Sequence, residues 1–505
     1  MANLFRMGSS WIIILFLPPL LVRVLDKPTY GVWVLLLQMA AYVTLFDLGI
    51  QMAVARFVAR ADSLRDRDYM ARILSSSGAL LVAASLATML LTAMASWQLN
   101  HLFQSIPPPI SHAAQQALLV IGVSLALTLP FSALAGFFAG LQRNQINAVA
   151  GSLGKFAGAF GTAWAAYRRQ GLLAMAIWPG LGSLVQCLTY VVFWHREEKG
   201  ALLRPSYVDR SMVREFLSFC SAMFVTQFSM ILISGLDIPI VVAFDFRAAA
   251  YYSVAATLSN VLSVPHGAIV STLMPVAAGM SSGETPERIG RILYKTTRFA
   301  TAILCLTTLP LLLAMPLFLR IWVGQEYADH TLKIAEILVV AQFIRLTMLP
   351  YAMIGYAAGQ LQRMLAAPLS EAMVNLLCSL IAVRIVGAPG VAIGTLIGAV
   401  VGVTLHFLIS LPRTDCVVLS RKQLAWNGIL KPLAFALPAV LIAGSLIRRI
   451  SHPAPQLLLA AAAELVLLLL FWNFSFDAGE RQQLKGLLDS VVGLSEKARH
   501  FLLPE

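Results

Sequence analysis

Charge is what this sequence has least of. Only 12% of its 505 residues are Asp, Glu, Lys or Arg, whereas 59% are hydrophobic, and the mean hydropathy is +0.78. A soluble domain carries about twice that share of charge, which argues against a water-soluble protein. Cysteine is scarce as well. Cys187, Cys220, Cys305, Cys378 and Cys416 lie in or beside apolar segments, with no CxxC pair and no metal-ligand spacing. They fit reduced packing residues. Catalytic signatures are also missing: there is no HExxH, no Ser-His-Asp spacing and no DxD. GSLGKF at 151 lacks the earlier glycine and the Ser/Thr of a phosphate-binding loop, so ATP is not the expected fuel. Neither an enzyme nor a metal or organic cofactor is expected.

Long apolar runs are present from end to end, for example LLVAASLATMLLTAMASW from residue 80 and LLLAAAAELVLLLLFW from residue 457. Each approaches the roughly 20 residues that cross a bilayer as a helix. The expected fold class is therefore an all-α polytopic membrane protein with about fourteen spans, the first near residues 9 to 25, the fifth near 145 to 167 and the eighth near 248 to 280. The first apolar run follows Arg6 without a small-residue cleavage site, which reads as a retained span, and Pro18 and Pro19 should kink it.

The net charge of +13 has an explanation in topology. With the N-terminus in the cytoplasm, 25 Lys and Arg fall on the cytoplasmic side and 10 on the other, leaving Lys155 and Arg345 inside spans. That asymmetry predicts cytoplasmic N- and C-termini and requires no nucleic acid. No outer loop is long enough for a folded domain, and the connection from about 97 to 115 carries no charged residue.

An internal repeat divides the chain. AGLQRNQINAVAGSLGKF at 139 matches AGQLQRMLAAPLSEAMVN at 358, and QGLLAMAIWPGLGSL at 170 matches PGVAIGTLIGAVVGV at 389. Arg143 to Arg363 is 220 positions and Gly171 to Gly390 is 219. Six spans separate the copies, so the halves should share one orientation, related by a pseudo-two-fold axis along the membrane normal, as in parallel-repeat transporters. The expected organisation is an N-terminal lobe over 1–200, a C-terminal lobe over 201–412, two further helices over 413–475 and a tail over 476–505. In the tail, Leu484, Leu487, Leu488, Val491, Ala498 and Leu502 make one apolar face against Arg481, Lys485, Lys497 and Arg499, an amphipathic pattern suited to the cytoplasmic membrane surface or to a partner protein.

An ionisable group at mid-bilayer costs about 2.5 to 3.5 kcal/mol on insertion scales, so those present should meet a partner or a wet cavity. The candidates by depth are Asp47, Lys155, Asp237, His266, Arg345, Glu371 and His406, with Gln38, Gln186, Gln227, Asn260 and Asn375 as polar company. If the second span is one continuous helix, Asp47 lies about 13 Å from Arg56 along it and half a turn around, too far to pair. Arg56 and Arg60 then anchor the end of that span. Lys155 and Arg345 are either anion-binding groups or members of buried ion pairs, and Glu371 is expected to partner a cation. His266, after Pro265, reads as a packing histidine.

LLVRVLDKPTYGVWVLLLQMAAYVTLFDLGIQMAVARFVAR, residues 20 to 60, resembles the N-terminal pattern of polysaccharide transport proteins, the Wzx-type lipid-linked oligosaccharide flippases of the MOP exporter superfamily. The likeness lies in an Arg-x-Leu turn, a Tyr-Gly-x-Trp helix start and an Asp-Leu-Gly segment that runs into an arginine. FFAGLQRNQINA at 137 and LFLRIWVGQEYAD at 317 resemble further family segments.

The resemblance implies two six-helix lobes plus two C-terminal helices in the bacterial inner membrane. It also implies alternating access around a cationic cavity and export of an undecaprenyl-diphosphate-linked glycan for surface or exopolysaccharide synthesis, O-antigen included. Arg23, Asp47 and Arg56 fall on motif positions; Lys155, Asp237, Arg345 and Glu371 are candidates from depth. The expected partners are the lipid-linked glycan, membrane lipids and other polysaccharide-assembly proteins, and the coupling ion, proton or sodium, stays open. Two other classes remain: a cation-coupled drug exporter of the same superfamily, for which about fourteen spans and embedded bases are a poor match, and a membrane polymerase or acyltransferase, disfavoured by short outer loops.

Overall fold

A backbone N–H or C=O without a partner in hydrocarbon is costly, so a chain this apolar should be helical wherever it crosses. The computed structural model describes residues 2–47, 49–197, 205–270, 285–358, 360–447, 449–450, 452–475 and 481, and among these there are helices and no β-strand. The expected amphipathic tail, apart from Arg481, lies outside the described residues.

The principal helices are α1 (Ala2–Val24), α2 (Lys27–Ala41), α3 (Ile50–Leu64), α4 (Arg67–Leu102), α5 (Pro108–Thr128), α6 (Ser132–Gly140), α7 (Asn144–Tyr167), α8 (Leu172–Glu197), α9 (Arg210–Met230), α10 (Asp237–Phe244), α11 (Ala249–Val261) and α12 (Ser263–Val270). They continue with α13 (Pro286–Val323), α14 (Gln325–Leu346), α15 (Leu349–Ala357), α16 (Ala366–Val386), α17 (Ala388–Leu405), α18 (Lys431–Ile447) and α19 (Pro453–Leu470). By contact they form two units. One comprises Met1–Val264, Phe318–Arg345 and Leu361–Arg413; the other comprises Pro265–Leu317, Leu346–Gln360 and Thr414–Glu505.

Among the described residues ten helices or helix runs are long and apolar enough to cross a membrane, or eleven if α14 and α15, bent by 43°, count as one crossing. The chain is thus a multi-pass membrane protein. The expected count of about fourteen is not reached, and three expected spans account for the difference. The apolar part of α1 is short, Trp11–Val24. Helix α7 is long enough but carries Asn144, Gln145, Asn147, Ser152 and Lys155. The eighth expected span is broken between α11 and α12 and runs into residues outside the described set.

Two helix breaks and Pro19, inside an unbroken helix, shape the first unit. The second span is not one continuous helix: α2 tightens into a 3₁₀ turn over Tyr42–Asp47, and Gly49 takes φ +75° before α3 starts. Only glycine adopts that φ without strain. The Asp-Leu-Gly segment is therefore a joint, and the straight-helix geometry expected between Asp47 and Arg56 does not apply. Beyond it, α3 lies close to α6, where a Cβ on Gly136 or Gly140 would fall 2.5 Å from the Gln51 carbonyl or 2.7 Å from that of Ala55.

A second break is the π turn Ile231–Gly235 between α9 and α10. Such a turn shifts carbonyls out of the helical ladder, and side chains meet them: Asn375 Nδ2 donates to the Ile233 carbonyl, and Tyr42 Oη to that of Gly235 at 2.6 Å.

Pro19 has no N–H for the Leu15 carbonyl four residues earlier. The indole Nε1 of Trp322 donates to it instead, at 2.7 Å. Nearby, Arg23 Nη2 reaches the carbonyls of Ile321 and Trp322 at 3.1 and 3.4 Å, and Lys27 pairs with Glu326. The second unit repeats the device: Pro350 leaves the Leu346 carbonyl without its helical donor, and His266 Nε2 lies 2.9 Å from that oxygen. Because a carbonyl only accepts, Nε2 carries the proton there.

The repeat is visible as a repeated order of elements. A short helix, a short connection holding Arg143 or the one-turn helix Leu361–Met364 holding Arg363, a long helix, a glycine with positive φ and a second long helix occur as α6–α7–α8 and again as α15–α16–α17. These glycines are Gly171 (φ +87°) and Gly387 (φ +68°); Gly390, matched to Gly171 by sequence, lies inside α17.

Trp322→Phe removes the indole donor while keeping most of the ring. It should cost about 1–3 kcal/mol, the penalty for an unmet buried carbonyl, read as a lower unfolding midpoint in detergent. An unchanged midpoint would mean that another group serves Leu15.

Candidate functional site

Three cavities in the first unit share walls and so form a row. The first, about 450 Å³, is lined by Asp47, Gln51, Ser132, Asn147, Lys155, Gln186, Tyr190 and Gln227 among others. The second, about 380 Å³, shares Lys155, Ser183 and Gln186 with it and is otherwise largely apolar, with Ile13, Ile14, Leu17, Trp33 and Leu37 from α1 and α2. The third, about 290 Å³, shares Leu17, Trp33 and Leu37 with the second and adds Gln38, Asp237, Tyr252, Gln342, Arg345 and Thr395. The row has a polar centre at each end and an apolar stretch between.

The break before α3 positions the first centre. Asp47 ends the 3₁₀ turn, so its carboxylate lies at the start of α3, where a helix end favours negative charge. It accepts from the Ser132 hydroxyl at 2.6 Å and from the Gln51 backbone N–H. Lys155 sits midway along α7 with an exposed side chain, and Gly154 and Gly158 beside it allow α8 to approach: a Cβ at Gly154 would meet the Gly182 carbonyl at 2.7 Å. Four primary amides, Gln51, Asn147, Gln186 and Gln227, supply paired donors and acceptors to this cavity. Asn147 Nδ2 donates to the Ala135 carbonyl at 3.0 Å, while its Oδ1 is buried without a hydrogen-bond partner among the described residues.

The second centre is a closed network. Asp237 opens α10, directly after the π turn, and is buried. Its Oδ2 accepts from Tyr252 Oη at 2.9 Å and lies 3.2 Å from Thr395 Oγ1. Thr395 also lies 3.1 Å from the Val391 carbonyl and 3.4 Å from Asn375 Oδ1; Ser379 Oγ is 3.0 Å from that same Oδ1 and 3.2 Å from Val391 O. Each hydroxyl has one proton to give. Three hydroxyl protons, those of Tyr252, Thr395 and Ser379, thus serve three acceptor oxygens, Asp237 Oδ2, Val391 O and Asn375 Oδ1. Next to it Arg345 Nε pairs with Glu371 Oε1 at 2.7 Å, and Arg345 Nη1 donates to Gln342 Oε1 at 2.9 Å. Gln342 in turn donates to Ser263 at 2.6 Å.

Small residues on α17 make this possible. Gly394, Gly398 and Gly402 face Ser379, Asn375 and Glu371 in turn, each too close for a Cβ without displacement.

The seven sequence candidates therefore separate. Asp47 and Lys155 share one cavity wall, and Asp237 and Arg345 share another. Glu371 is the cation partner expected of it, and Arg345 is in an ion pair. Arg23 binds the carbonyls that end α13, and Arg56 is exposed on α3; neither lines the three cavities. Tyr252, Thr395, Ser132 and Ser379 were not among the candidates. Ser and Thr in an apolar helix commonly bond their own backbone, so hydropathy gives them no weight.

A family model described as polysaccharide biosynthesis protein matches residues 7–281. Among solved structures, the lipid II flippase MurJ in an inward closed conformation superposes with a TM-score of 0.70 at 15% identity, covering 94% of this chain and 98% of that one. An inward-facing multidrug resistance MATE family transporter of the MOP superfamily gives 0.64 at 14% identity, over 80% and 96%. A MOP superfamily transporter from Pyrococcus furiosus gives 0.54 at 14% identity, over 81% and 92%. At these identities the likeness is one of fold. Curated proteins yield no match.

Glu371→Leu or Arg345→Leu alone leaves a charge without its partner in a poorly hydrated site. Each should cost about 3 kcal/mol, the low end for buried pairs because Arg345 keeps 19% side-chain exposure. Arg345→Met with Glu371→Leu should cost less than either single change in a detergent unfolding series. A double variant as weak as the sum of the singles would show that the pair is not coupled.

Proposed function

Because the chain belongs to the polysaccharide biosynthesis protein family, we propose that it is a flippase that carries an undecaprenyl-diphosphate-linked oligosaccharide from the inner to the outer leaflet of the bacterial cytoplasmic membrane, for O-antigen or exopolysaccharide assembly. The lobes 1–200 and 201–412 alternate in access around the row of cavities, with 413–475 as an additional pair of helices and both termini cytoplasmic.

The observation that carries this reading is the first cavity. A glycan needs donors and acceptors at many angles, which primary amides and hydroxyls provide. A diphosphate needs a cation, and Lys155 supplies a point charge at the wall shared with the apolar second cavity. The polar head and its lipid thus have adjoining surfaces. Arg345, already neutralised by Glu371, acts in architecture rather than in holding phosphate.

Asp237 is the coupling group in this scheme. A buried carboxylate among hydroxyl, amide and carbonyl oxygens suits either a proton or a sodium ion, since hard cations prefer oxygen ligands. Binding there ties α10 to α17, and release loosens the two. A cation-coupled drug exporter of the same fold is the second reading, favoured by the same buried acid.

In a deletion strain, the lipid-linked oligosaccharide should accumulate on the cytoplasmic leaflet and clear when the gene is restored. Lys155→Ala should slow clearance about tenfold, as loss of one charge-assisted contact worth ~1.5 kcal/mol does. Asp237→Asn should abolish the dependence of transport on sodium or on pH. A normal lipid-linked pool in the deletion strain, together with new sensitivity to cationic drugs, would replace the flippase by the exporter.

A further inference from the structure

Outside the row of cavities, a groove of about 460 Å³ lies between α4, α6 and the end of α8. Its walls are Leu74, Gly78, Val82, Phe131, Leu134 and Trp194, with Val208 at one end. The volume is that of a small-molecule site, roughly 300–1,000 Å³, yet hardly any polar group faces it. The floor is open: a Cβ built on Gly78 meets nothing within 4 Å. Along α4 the wall continues into the outward-facing Val82 and Leu86, which are 48% and 59% exposed. In a multi-pass protein such a surface faces hydrocarbon.

The mouth of the groove is polar and basic. Arg72 precedes Ser75 and Ala79 by three and seven residues, so it sits on the groove face of α4, one turn nearer the helix start, and is exposed. Arg196 follows Trp194 by two residues and is also exposed. The Asp209 backbone N–H donates to Ser76 Oγ at 2.9 Å, which draws Val208 onto the groove. Asp209 feels the charge of Arg72, and its carboxylate caps α9, accepting from Ser211 N and Oγ at 2.8 Å; Asp68 lies one turn before Arg72 on α4. Tryptophan beside arginine at a helix end is the composition of a membrane interface.

We propose that this groove holds one acyl chain of an anionic membrane phospholipid, with the phosphate at Arg72. The hydrocarbon fills the space above Gly78, and the charge complementarity at the mouth selects the head group. The position has a consequence for transport. Phe131, in the 3₁₀ turn Leu129–Phe131 that joins α5 to α6, lines both the groove and the first cavity. A seated chain supports that turn beside Ser132, the hydroxyl that holds Asp47. The assignment does not depend on the identity of the transported molecule.

The full-length protein, purified in a mild detergent, can be tested by native mass spectrometry with phosphatidylglycerol, phosphatidylcholine and a polyprenyl phosphate as separate probes. The parent should retain one phosphatidylglycerol in preference to phosphatidylcholine. Gly78→Leu, which fills the groove without a steric conflict at its Cβ, should lower retention at least about tenfold, as loss of buried methylenes at ~0.8 kcal/mol each implies. Arg72→Gln should keep the chain but lose the preference for phosphatidylglycerol. If Gly78→Leu does not fold, Ala79→Leu fills the same groove from an exposed position. Equal retention by the parent and the filled variants would overturn the proposal. So would retention of no lipid by the parent, or displacement of phosphatidylglycerol by the polyprenyl phosphate.

Discussion

Four carbonyl oxygens govern how this protein can be built. A helix that breaks or carries a proline in hydrocarbon releases backbone groups that water cannot reach, and each release must be answered by a side chain. Leu15 is answered by Trp322, Ile233 by Asn375, Gly235 by Tyr42 and Leu346 by His266. All four donors lie far from their acceptors in sequence, between 80 and 307 residues apart. These points are thus also long-range ties. Residues that look functional by their rarity in a membrane segment, Trp322 and His266 among them, hold backbone rather than ligand.

The two polar centres use opposite solutions to the problem of charge in an apolar setting. Around Asp237 and Arg345, hydroxyls and an ion pair supply partners from within the protein, and Gly394, Gly398 and Gly402 on α17 let α16 approach closely. Around Asp47 and Lys155, the groups face a cavity whose walls are amides and hydroxyls. An enclosed pair changes state only when an ion or proton enters. An open cavity changes state with its occupant. The two lie at opposite ends of one row of cavities.

Much of this was legible from the amino-acid order, and what was not has identifiable causes. Helical class, the embedded acids and bases, the repeat and the family all follow from apolar periodicity and rare charges. Glu371 was correctly expected to partner a cation because a buried carboxylate has few alternatives. Arg23 falls on a motif position, and its guanidinium serves backbone carbonyls near a helix end, a role that spacing alone does not separate from facing a cavity. The Asp47 joint was missed because Asp-Leu-Gly inside a hydrophobic run reads as continuous helix. The left-handed φ of Gly49 is a property of the surrounding packing. Hydroxyls such as Thr395 and Tyr252 are silent in hydropathy.

The order in which the ties close bears on how the chain can be made. A membrane protein enters the bilayer from its N-terminus onward. Asp237 is then inserted 158 residues before Thr395 and 15 before Tyr252, and the Ile233 carbonyl 142 residues before Asn375. Until the hairpin of α16 and α17 arrives, the earlier helices carry an acid and a broken backbone with only part of their complement. That hairpin brings Glu371, Asn375, Ser379 and Thr395 together, on one tightly packed surface. It is in effect the keystone of biosynthesis: chains halted before it retain unmatched polar groups in lipid, which makes them recognisable to quality-control machinery as unfinished.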